Sequence, residues 1–256
     1  MAAYIGPELL LEKLLVAPSY GLMEQSWAPR EMREGKLNAD GYGFGWYNPK
    51  GDPARYTNPM PIWSDPNLSS LAHTLQAPLW IANVRSATRC MDVSHANTQP
   101  FLGRGLQFLH NGYVKDFAHT LRRAICHHIN ADIEAGVEGN TDSEYLFALL
   151  LHTQEYNGHP LLEQSIRLIM QTLDSMLGNT RALLNFVITN GDYLVATRHA
   201  VNGECPSLYI NTDDEHYPDA SLIASEPLND SAHWQAVPEH HLVVLKQNTA
   251  PHITPL

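Results

Sequence analysis

The spacing of apolar residues changes twice along this chain of 256 residues, and that order constrains the fold more than any other feature. Strand-like runs come first, at residues 79–84 and 106–109. Helical spacing begins at Phe117 and continues to about Leu177, and short strand-like runs return from Leu183 onward. Because strands and helices are segregated, the order predicts antiparallel sheets covered by helices. We therefore expect an α+β fold, in a single domain over residues 1–256.

The same spacing predicts individual elements. Short helices are expected over residues 8–16 and from Phe117, and a longer helix is expected from about Pro160 to Leu177. The run Thr141-Asp142-Ser143-Glu144 has the pattern of a capping box, which predicts one more helix start. Residues 49–69 are rich in Pro, Asp and Asn, which predicts a loop.

Alternating glycines mark one predicted strand. Gly41, Gly43 and Gly45 alternate with aromatic residues over residues 41–46, so the aromatic rings share one face and bare backbone forms the other. Glycine weakens a strand, and such a face usually indicates close approach by a ligand or by another backbone.

Composition excludes several classes of function. The chain has 16 Lys+Arg against 27 Asp+Glu, and this net charge of -11 argues against nucleic-acid binding. No apolar run approaches the roughly 18 residues of a membrane span. The start of the chain lacks the features of a signal peptide, so we expect a cytoplasmic protein with no membrane partner.

Neither metal nor cofactor is expected from motifs. The three cysteines, Cys90, Cys126 and Cys205, are scattered and form no CxxC pair. The pairs His127-His128 and His240-His241 each offer at most one ligand to a site, because adjacent side chains point in different directions. No glycine-rich nucleotide-binding motif occurs either.

Several polar residues have both a structural and a functional interpretation. Asn190-Gly191 lies between strand-like runs, and a type I′ hairpin turn explains it. Asn111-Gly112 follows a strand, but a helical pattern begins soon afterwards, so a plain turn explains it less well. Arg85 ends a buried strand, where it is either solvated or ion-paired, or anchors an anionic substrate group. Asp142 is favoured by the helix dipole, with Thr141 and Glu144 as capping residues.

An ordered set of segments resembles one family. The segments are Asn38-Ala39-Asp40-Gly41-Tyr42-Gly43, Arg85-Ser86-Ala87-Thr88, Asn97-Thr98-Gln99-Pro100-Phe101, His110-Asn111-Gly112 and Thr141-Asp142-Ser143-Glu144. In this order and spacing they resemble class II glutamine amidotransferases, which are N-terminal-nucleophile hydrolases. Residues 25–30 and 224–228 look more like the branch of γ-glutamyl hydrolases of ergothioneine biosynthesis.

The resemblance implies a fold and a set of roles. The fold would be a four-layer αββα sandwich. An N-terminal cysteine would attack a γ-glutamyl carbonyl, with its own α-amino group as the general base. The Asn111 side chain and the Gly112 N–H would stabilise the oxyanion. Arg85 would bind the α-carboxylate of the substrate and Asp142 its α-ammonium group, while Thr88 would line the same pocket.

Two departures from the family pattern matter. Gln99 stands where the family commonly has His. Family members also begin Met-Cys-Arg, and aligning Gly6 leaves this chain about three residues short, so that the nucleophile is missing. None of the three cysteines can replace it. Either the sequence starts at an internal Met, which we favour, or the protein is a homologue that has lost catalysis. In both cases we expect the printed chain to form no thioester.

The resemblance therefore implies a γ-glutamyl amide hydrolase that needs no cofactor. Its branch suggests a γ-glutamyl sulfoxide conjugate of a histidine betaine as substrate, as in γ-glutamyl-hercynylcysteine sulfoxide. One alternative is a glutaminase subunit that supplies ammonia to a separate partner synthase. Another is a non-catalytic module that binds glutamate or glutamine. A homo-oligomer is compatible with each.

Overall fold

The computed structural model describes residues 1–32, 35–87 and 92–256 and contains two antiparallel sheets with helices outside them. Its helices are α1 (Glu12–Leu15), α2 (Leu22–Trp27), α3 (Leu68–Thr74), α4 (Arg122–His128), α5 (Ala131–Ala135), α6 (Asp142–Tyr156) and α7 (Leu162–Leu177). Its strands are β1 (Ala2–Leu10), β2 (Tyr42–Tyr47), β3 (Pro53–Asn58), β4 (Gln76–Val84), β5 (Phe101–Gly103), β6 (Leu106–Val114), β7 (Ala182–Thr189), β8 (Tyr193–Arg198), β9 (Ala200–Val201), β10 (Tyr209–Asn211), β11 (Ser221–Ala224), β12 (Gln235–Ala236), β13 (His241–Lys246) and β14 (His252–Pro255).

The first sheet has the strand order β12-β10-β11-β1-β4-β2-β3, and the second has the order β14-β13-β8-β7-β6-β5, with β9 paired to β7. The first strand of the chain is thus interior, because β1 pairs with β11 on one side and with β4 on the other. Sequentially distant segments meet at this strand, and every pairing around it is antiparallel.

Three apolar clusters separate four layers. One cluster lies between helices α1–α3 and the first sheet, and another lies between the second sheet and helices α4–α7. The third fills the space between the sheets, where Ala3 and Ile5 of β1 meet residues such as Leu109 and Val187. The predicted α+β class and αββα layering are therefore confirmed. Among the described residues, no helix is long and apolar enough to cross a membrane.

The prediction of a helix over residues 8–16 was largely wrong. Strand β1 continues to Leu10, because Leu9 and Leu10 pair with Ala77 and Gln76 of β4, and only Glu12–Leu15 are helical. Local apolar spacing suggested a helix, and the distant ladder partner overrode it.

Two further expectations needed correction. The predicted loop at residues 49–69 contains strand β3, which pairs along its length with β2. The helix expected from Phe117 begins only at Arg122, after a series of turns. Strand β3 lies at the edge of its sheet, and polar strands at an edge lack the apolar alternation that would reveal them in a sequence.

The start of helix α6 agrees with the capping prediction. The Thr141 hydroxyl accepts a hydrogen bond from the Glu144 backbone N–H at 3.3 Å. The Glu144 carboxylate, however, accepts bonds from the backbone N–H groups of Glu138 and Gly139, at 2.8 and 2.7 Å. Glu144 therefore fixes the loop before the helix and does not complete a reciprocal capping box.

The hairpin at Asn190-Gly191 is confirmed, but its predicted turn type is wrong. It joins β7 to β8, with Thr189 paired to Leu194. Of the two residues only Gly191 has a positive φ, of 96°, whereas a type I′ turn needs two. The Asn190 side chain supports the longer loop by accepting bonds from the N–H groups of Asp192 and Tyr193.

The glycine face of β2 allows close contact with the second sheet, as predicted. A Cβ atom added at Gly43 would collide with the backbone carbonyl of Gln99, and one added at Gly45 would collide with the Gln107 side chain. Gln99 precedes β5, so the bare face of β2 lets the backbone leading into the second sheet lie against the first.

We predict that Gly43→Ala destabilises the protein by about 1–3 kcal/mol, because the added methyl group meets backbone that cannot rotate away. Urea unfolding measures this change. Gly136→Ala is the matched control, since a Cβ there meets the Ile133 and Asp132 carbonyls only at ordinary distances of 3.4 and 3.8 Å. Equal unfolding midpoints for the two variants would contradict the proposed close contact.

Candidate active site

A cleft of about 670 Å³ opens between the two sheets near the start of the chain. Met1 and Asn83 line it from the first sheet, Asn111 and Gly112 line it from the second, and Asp142 lines it from the start of α6. The cleft therefore gathers residues that lie far apart in the sequence, including four of the five residues predicted for the site.

Arg85 lies immediately after β4 and contributes a buried cation to the cleft. Its side chain has only 8% of its surface exposed, so a freely solvated strand end is excluded. The guanidinium donates hydrogen bonds to the backbone carbonyls of Asp40, at 3.2 Å, and Asp92, at 3.4 Å. Burial lowers the pKa of Arg85, and the nearby carboxylates of Asp40 and Asp142 oppose that effect.

Asn111 lies inside strand β6, opposite Asn185 of β7, and not at a strand end as expected. The plain-turn interpretation of Asn111-Gly112 is also excluded, because both residues are part of the β6–β7 ladder. Side chains alternate along a strand, and Leu109 points into the space between the sheets. Asn111, two residues later, therefore faces the first sheet.

Gly112 is required by its surroundings. A Cβ atom at this position would collide with the backbone carbonyl of Leu183. Strand β6 therefore passes close to β7 at Gly112, and the Gly112 backbone also lines the cleft. Packing alone accounts for glycine at this position.

His110 fixes the backbone that leads to Asn111. It is buried, and its Nδ1 lies 2.9 Å from the Ser143 hydroxyl while its Nε2 lies 2.8 Å from the Leu183 carbonyl. Gln99 binds the same residue from the other side, since its Oε1 accepts from the His110 N–H at 2.6 Å and its Nε2 donates to the His110 carbonyl at 3.0 Å. Both main-chain polar groups of His110 are therefore held by one side chain.

Asp142, the first residue of α6, is buried and already bonded through both oxygens. Oδ2 accepts from the Val114 N–H at 2.6 Å, and Oδ1 accepts from the Ser143 N–H at 2.7 Å. The carboxylate therefore links the helix start to the end of β6. Its negative charge raises the pKa of both Arg85 and His110 and so opposes the effect of their burial.

Met1 places its α-amino group in the cleft. This group donates a hydrogen bond to the Ser225 hydroxyl at 3.0 Å, and the Ser225 N–H donates to the Met1 carbonyl at 2.9 Å. Burial lowers the pKa of the amino group to about 5, although Glu226 opposes the shift. Met1 itself offers no nucleophilic side chain.

Thr88 and the three cysteines were also considered as site residues in the sequence. Thr88 and Cys90 lie outside the described residues. Cys126 packs against the outer helical layer, and Cys205 is buried beside Glu204 and Pro206, which line the cleft.

Sequence reasoning did not identify Asn83 or Ser225, nor the role of the Gln99 side chain in holding the His110 backbone. Asn83 is buried, and within the described part of the chain its Oδ1 has no hydrogen-bond partner. Strand alternation could have placed Asn83 on the same face as Arg85, because the two lie two residues apart. The contacts of Gln99 and Ser225 join distant segments, so no local pattern indicates them.

The family follows from comparison with known proteins. A model of the family described as class II glutamine amidotransferases matches residues 20–204. This chain belongs to that family. The γ-glutamyl-hercynylcysteine sulfoxide hydrolase of Mycolicibacterium smegmatis is 30% identical to this amidotransferase chain, over 94% of the chain and 92% of the relative. The Saccharomyces cerevisiae protein named "Probable glutamine amidotransferase DUG3" is 28% identical over 93% of this chain and 79% of its own.

Solved structures of amidotransferases share the fold. The glutamine aminotransferase class-II domain protein of Silicibacter pomeroyi matches with a TM-score of 0.70 at 23% identity, over 99% of this chain and 97% of that chain. The glutamine phosphoribosylpyrophosphate amidotransferase of B. subtilis matches with a TM-score of 0.69 at 16% identity. That match covers 99% of this chain but 48% of the longer enzyme.

The buried imidazole of His110 predicts a pH-dependent stability. Burial lowers its pKa from the ordinary 6.5, so the unfolded chain binds more protons than the folded chain once the pH falls through that value. Stability from this group is therefore present above pH 6.5 and is lost on acidification. His110→Gln removes the titration. We expect the stability difference between wild type and His110→Gln to be larger at about pH 7.5 than at about pH 5.5 in urea unfolding. A difference that grows on acidification would contradict a neutral buried imidazole.

Proposed function

We propose that the cleft binds the glutamyl part of a γ-glutamyl amide and that this amidotransferase chain supplies the site for its hydrolysis. The observation that carries the proposal is the pairing of a buried cation, Arg85, with a buried anion, Asp142, around one cleft. A glutamyl group carries an α-carboxylate and an α-ammonium group, and two opposite charges fixed in the wall would orient both ends.

Each charged residue has a distinct proposed role. Arg85 binds the α-carboxylate, since a planar guanidinium pairs with a carboxylate through two parallel hydrogen bonds. Asp142 attracts the α-ammonium group, and the Oδ1 of Asn83, which has no partner among the described residues, is a further acceptor for it. Thr88 is proposed to line the same pocket, as the family resemblance implies. Specificity for the glutamyl group follows from these contacts.

The oxyanion donors are proposed to be the Asn111 side-chain amide and the Gly112 N–H. An oxyanion needs donors that are already in position before the reaction. The clamp of Gln99 on His110 supports that role, because it holds the backbone directly before Asn111 at both the N–H and the carbonyl.

The nucleophile is proposed to be a cysteine placed two residues before Met1. In the register of β1 with β4, Ala2 is opposite Ala82 and Ala3 is opposite Ile81. Continued backwards, this register puts the residue two positions before Met1 opposite Arg85. That residue would share the face of Met1 and Ala3, which points between the sheets toward Asn111.

The proposed reaction needs only the cysteine, its α-amino group and water. The α-amino group of the cysteine takes the thiol proton, which is reasonable because their ordinary pKa values are about 8 and about 8.5. The sulfur then bonds to the γ-carbonyl carbon, and the C–N bond breaks as the amine leaves with that proton. Water attacks the resulting thioester, so that glutamate is released and the thiol is restored.

The leaving group is proposed to be the amine of a conjugate related to the one in the name of the M. smegmatis relative, which is 30% identical over 94% of this chain. Glu31, Glu204 and Glu226 line the cleft together with Arg181. A wall that offers both acidic and basic groups suits a conjugate that carries charges of both signs. A glutaminase subunit serving a separate synthase is the second candidate, supported by the yeast relative's name. The cytoplasmic location, single-domain organisation and oligomeric state stay predictions.

A chain that begins Cys-Arg before Met1 tests the nucleophile. We expect it to hydrolyse L-glutamine or a larger γ-glutamyl amide and to be alkylated once by a glutamine-analogue chloroketone, detected by mass spectrometry. The printed chain and a version that begins Ala-Arg are the controls, and we expect both to be inactive. Alkylation of the Ala-Arg version at an equal rate would exclude the proposed nucleophile.

The same extended chain separates the candidate functions. Ammonia release from glutamine that exceeds amine release from larger γ-glutamyl amides favours the glutaminase subunit, and the opposite order favours the conjugate hydrolase. Binding of glutamate by calorimetry without turnover of either substrate would favour the non-catalytic module.

Arg85→Gln in the extended chain tests carboxylate binding. We expect KM for any γ-glutamyl amide to rise by at least about tenfold, because a charge-assisted bidentate pair is lost. The change in KM should disappear for an analogue that lacks the α-carboxylate. Arg123→Gln, on helix α4 in the outer layer, is the control that removes a cation elsewhere. An unchanged KM in Arg85→Gln would remove Arg85 from the substrate site.

A further inference from the structure

A second group of reactive side chains lies at one end of the second sheet. Cys205, Glu239 and His240 offer ligand atoms that all lie within 4.8 Å of one another. The Cys205 sulfur is 3.9 Å from the His240 Nδ1 and 4.0 Å from its Nε2. These residues bring a thiol, a carboxylate and an imidazole close together, although Cys205 lies 34 residues before Glu239 in the chain.

His199 contacts this group from the side, through His240. Its Nδ1 lies 3.0 Å from the His240 Nδ1, and the two rings cross at 78° with centroids 5.1 Å apart. The contact follows from the sheet register, because His241 pairs with Arg198, so the preceding residue His240 falls opposite His199. Within the described chain the buried Nε2 of His199 has no hydrogen-bond partner.

The geometry fits a tetrahedral transition-metal site. Around Zn²⁺, with bonds of about 2.3 Å to sulfur and about 2.0–2.1 Å to nitrogen, a sulfur and a nitrogen ligand lie roughly 3.6 Å apart. The observed separations of 3.9 Å and 4.0 Å between the Cys205 sulfur and the two His240 nitrogens differ from the sulfur-to-nitrogen value by only about 0.3–0.4 Å. Small side-chain rotations would close that difference.

We propose that Cys205, Glu239 and His240 form a zinc site that is separate from the γ-glutamyl cleft, with water in the fourth position and with His199 holding the His240 ring through its Nδ1. Thiolate and imidazole are the ligands that Zn²⁺ prefers, and a carboxylate completes the set. The Glu239 carboxylate is already oriented by Arg198, whose Nη2 lies 3.4 Å from its Oε1. Burial raises the pKa of the Cys205 thiol, so metal binding would release its proton to solvent.

This proposal differs from the sequence prediction that no metal binds. That prediction rested on spacing, and the argument that each histidine pair gives one ligand still holds for His240-His241. Cys205 comes from the loop before β10, and a sequence pattern does not show that this loop meets the residues just before β13.

The zinc site adjoins the wall of the cleft. Cys205 stands between Glu204 and Pro206, both of which line the cleft. The Pro206 carbonyl also accepts a hydrogen bond from the Arg198 Nε at 2.9 Å. A bound metal would tie this loop to the start of β13, and so hold one side of the leaving-group region in place.

Cobalt and zinc binding to the full chain test the proposal. After removal of metal with a chelator, we expect one equivalent of Co²⁺ to give a thiolate-to-cobalt charge-transfer band, which one equivalent of Zn²⁺ displaces. Cys205→Ser should lose the band, whereas Cys126→Ser, at the other described free cysteine, should keep it. Loss of the band in both cysteine variants, or no stoichiometric binding to wild type, would overturn the proposal.

A second variant keeps the test decisive if Cys205→Ser fails to fold. His240 is exposed and has a φ of 58°, a conformation that asparagine tolerates, so His240→Asn preserves the backbone. We expect Zn²⁺ affinity to fall by at least about tenfold, the low end of the effect of disturbing a metal site's outer shell. His127→Asn, at an exposed histidine of α4, is the control. Unchanged affinity in His240→Asn would remove His240 from the site.

Discussion

The structure depends on the pairing of β1 along both of its edges. Antiparallel ladders to β4 and β11 satisfy its backbone and place the first residues of the chain inside the first sheet. Because side chains alternate, one face of β1 contacts the outer helices and the other contacts the second sheet. The amino end of β1 consequently opens into the cleft. A substrate site at that end requires the two sheets to lie close together, and the glycine face of β2 permits this.

The charged and polar residues of the cleft are held in place by hydrogen bonds within the protein itself. Arg85 is held by backbone carbonyls, Asp142 by two backbone N–H groups, and His110 by Gln99 and Ser143. Burying charges is unfavourable unless each is paired or hydrogen-bonded, and here the opposite charges of Arg85 and Asp142 offset one another. Fixed charges of this kind can orient a zwitterion without reorganising when it arrives.

The two proposed sites use the same sheet in different ways. Asn111 and Gly112 of the cleft lie in the ladder between β6 and β7, whereas His199 and His240 lie just beyond the ladder between β8 and β13. Residues inside a ladder are rigid because both neighbours hold them, which suits donors that must stay in position. His240 lies just beyond its ladder and is exposed, so its side chain can turn toward an ion.

Much of the fold could be predicted from local patterns. Apolar periodicity identified α7 and most of the inner strands, Thr141 marked the start of α6, and the glycines of β2 indicated a close approach. Arg85, Asn111, Gly112 and Asp142 were also selected from the sequence, because the order of their motifs resembles the family. Strand β1 was missed because its pairing partners lie far away in the sequence. Strand β3 was missed because it lies at a sheet edge and its residues have no clear alternation, although its partner β2 directly precedes it in the chain.

By itself, therefore, the sequence determined the α+β class through the spacing of its apolar residues. It indicated the family, the four layers and the residue types of the cleft through an ordered set of motifs that resembles the family. Only the tertiary structure decided that Asn111-Gly112 is part of a strand, that Gln99 clamps His110, and that Cys205 meets His240. These are contacts between segments joined by ladders and packing, and a contact of this kind leaves no periodic pattern in either segment alone.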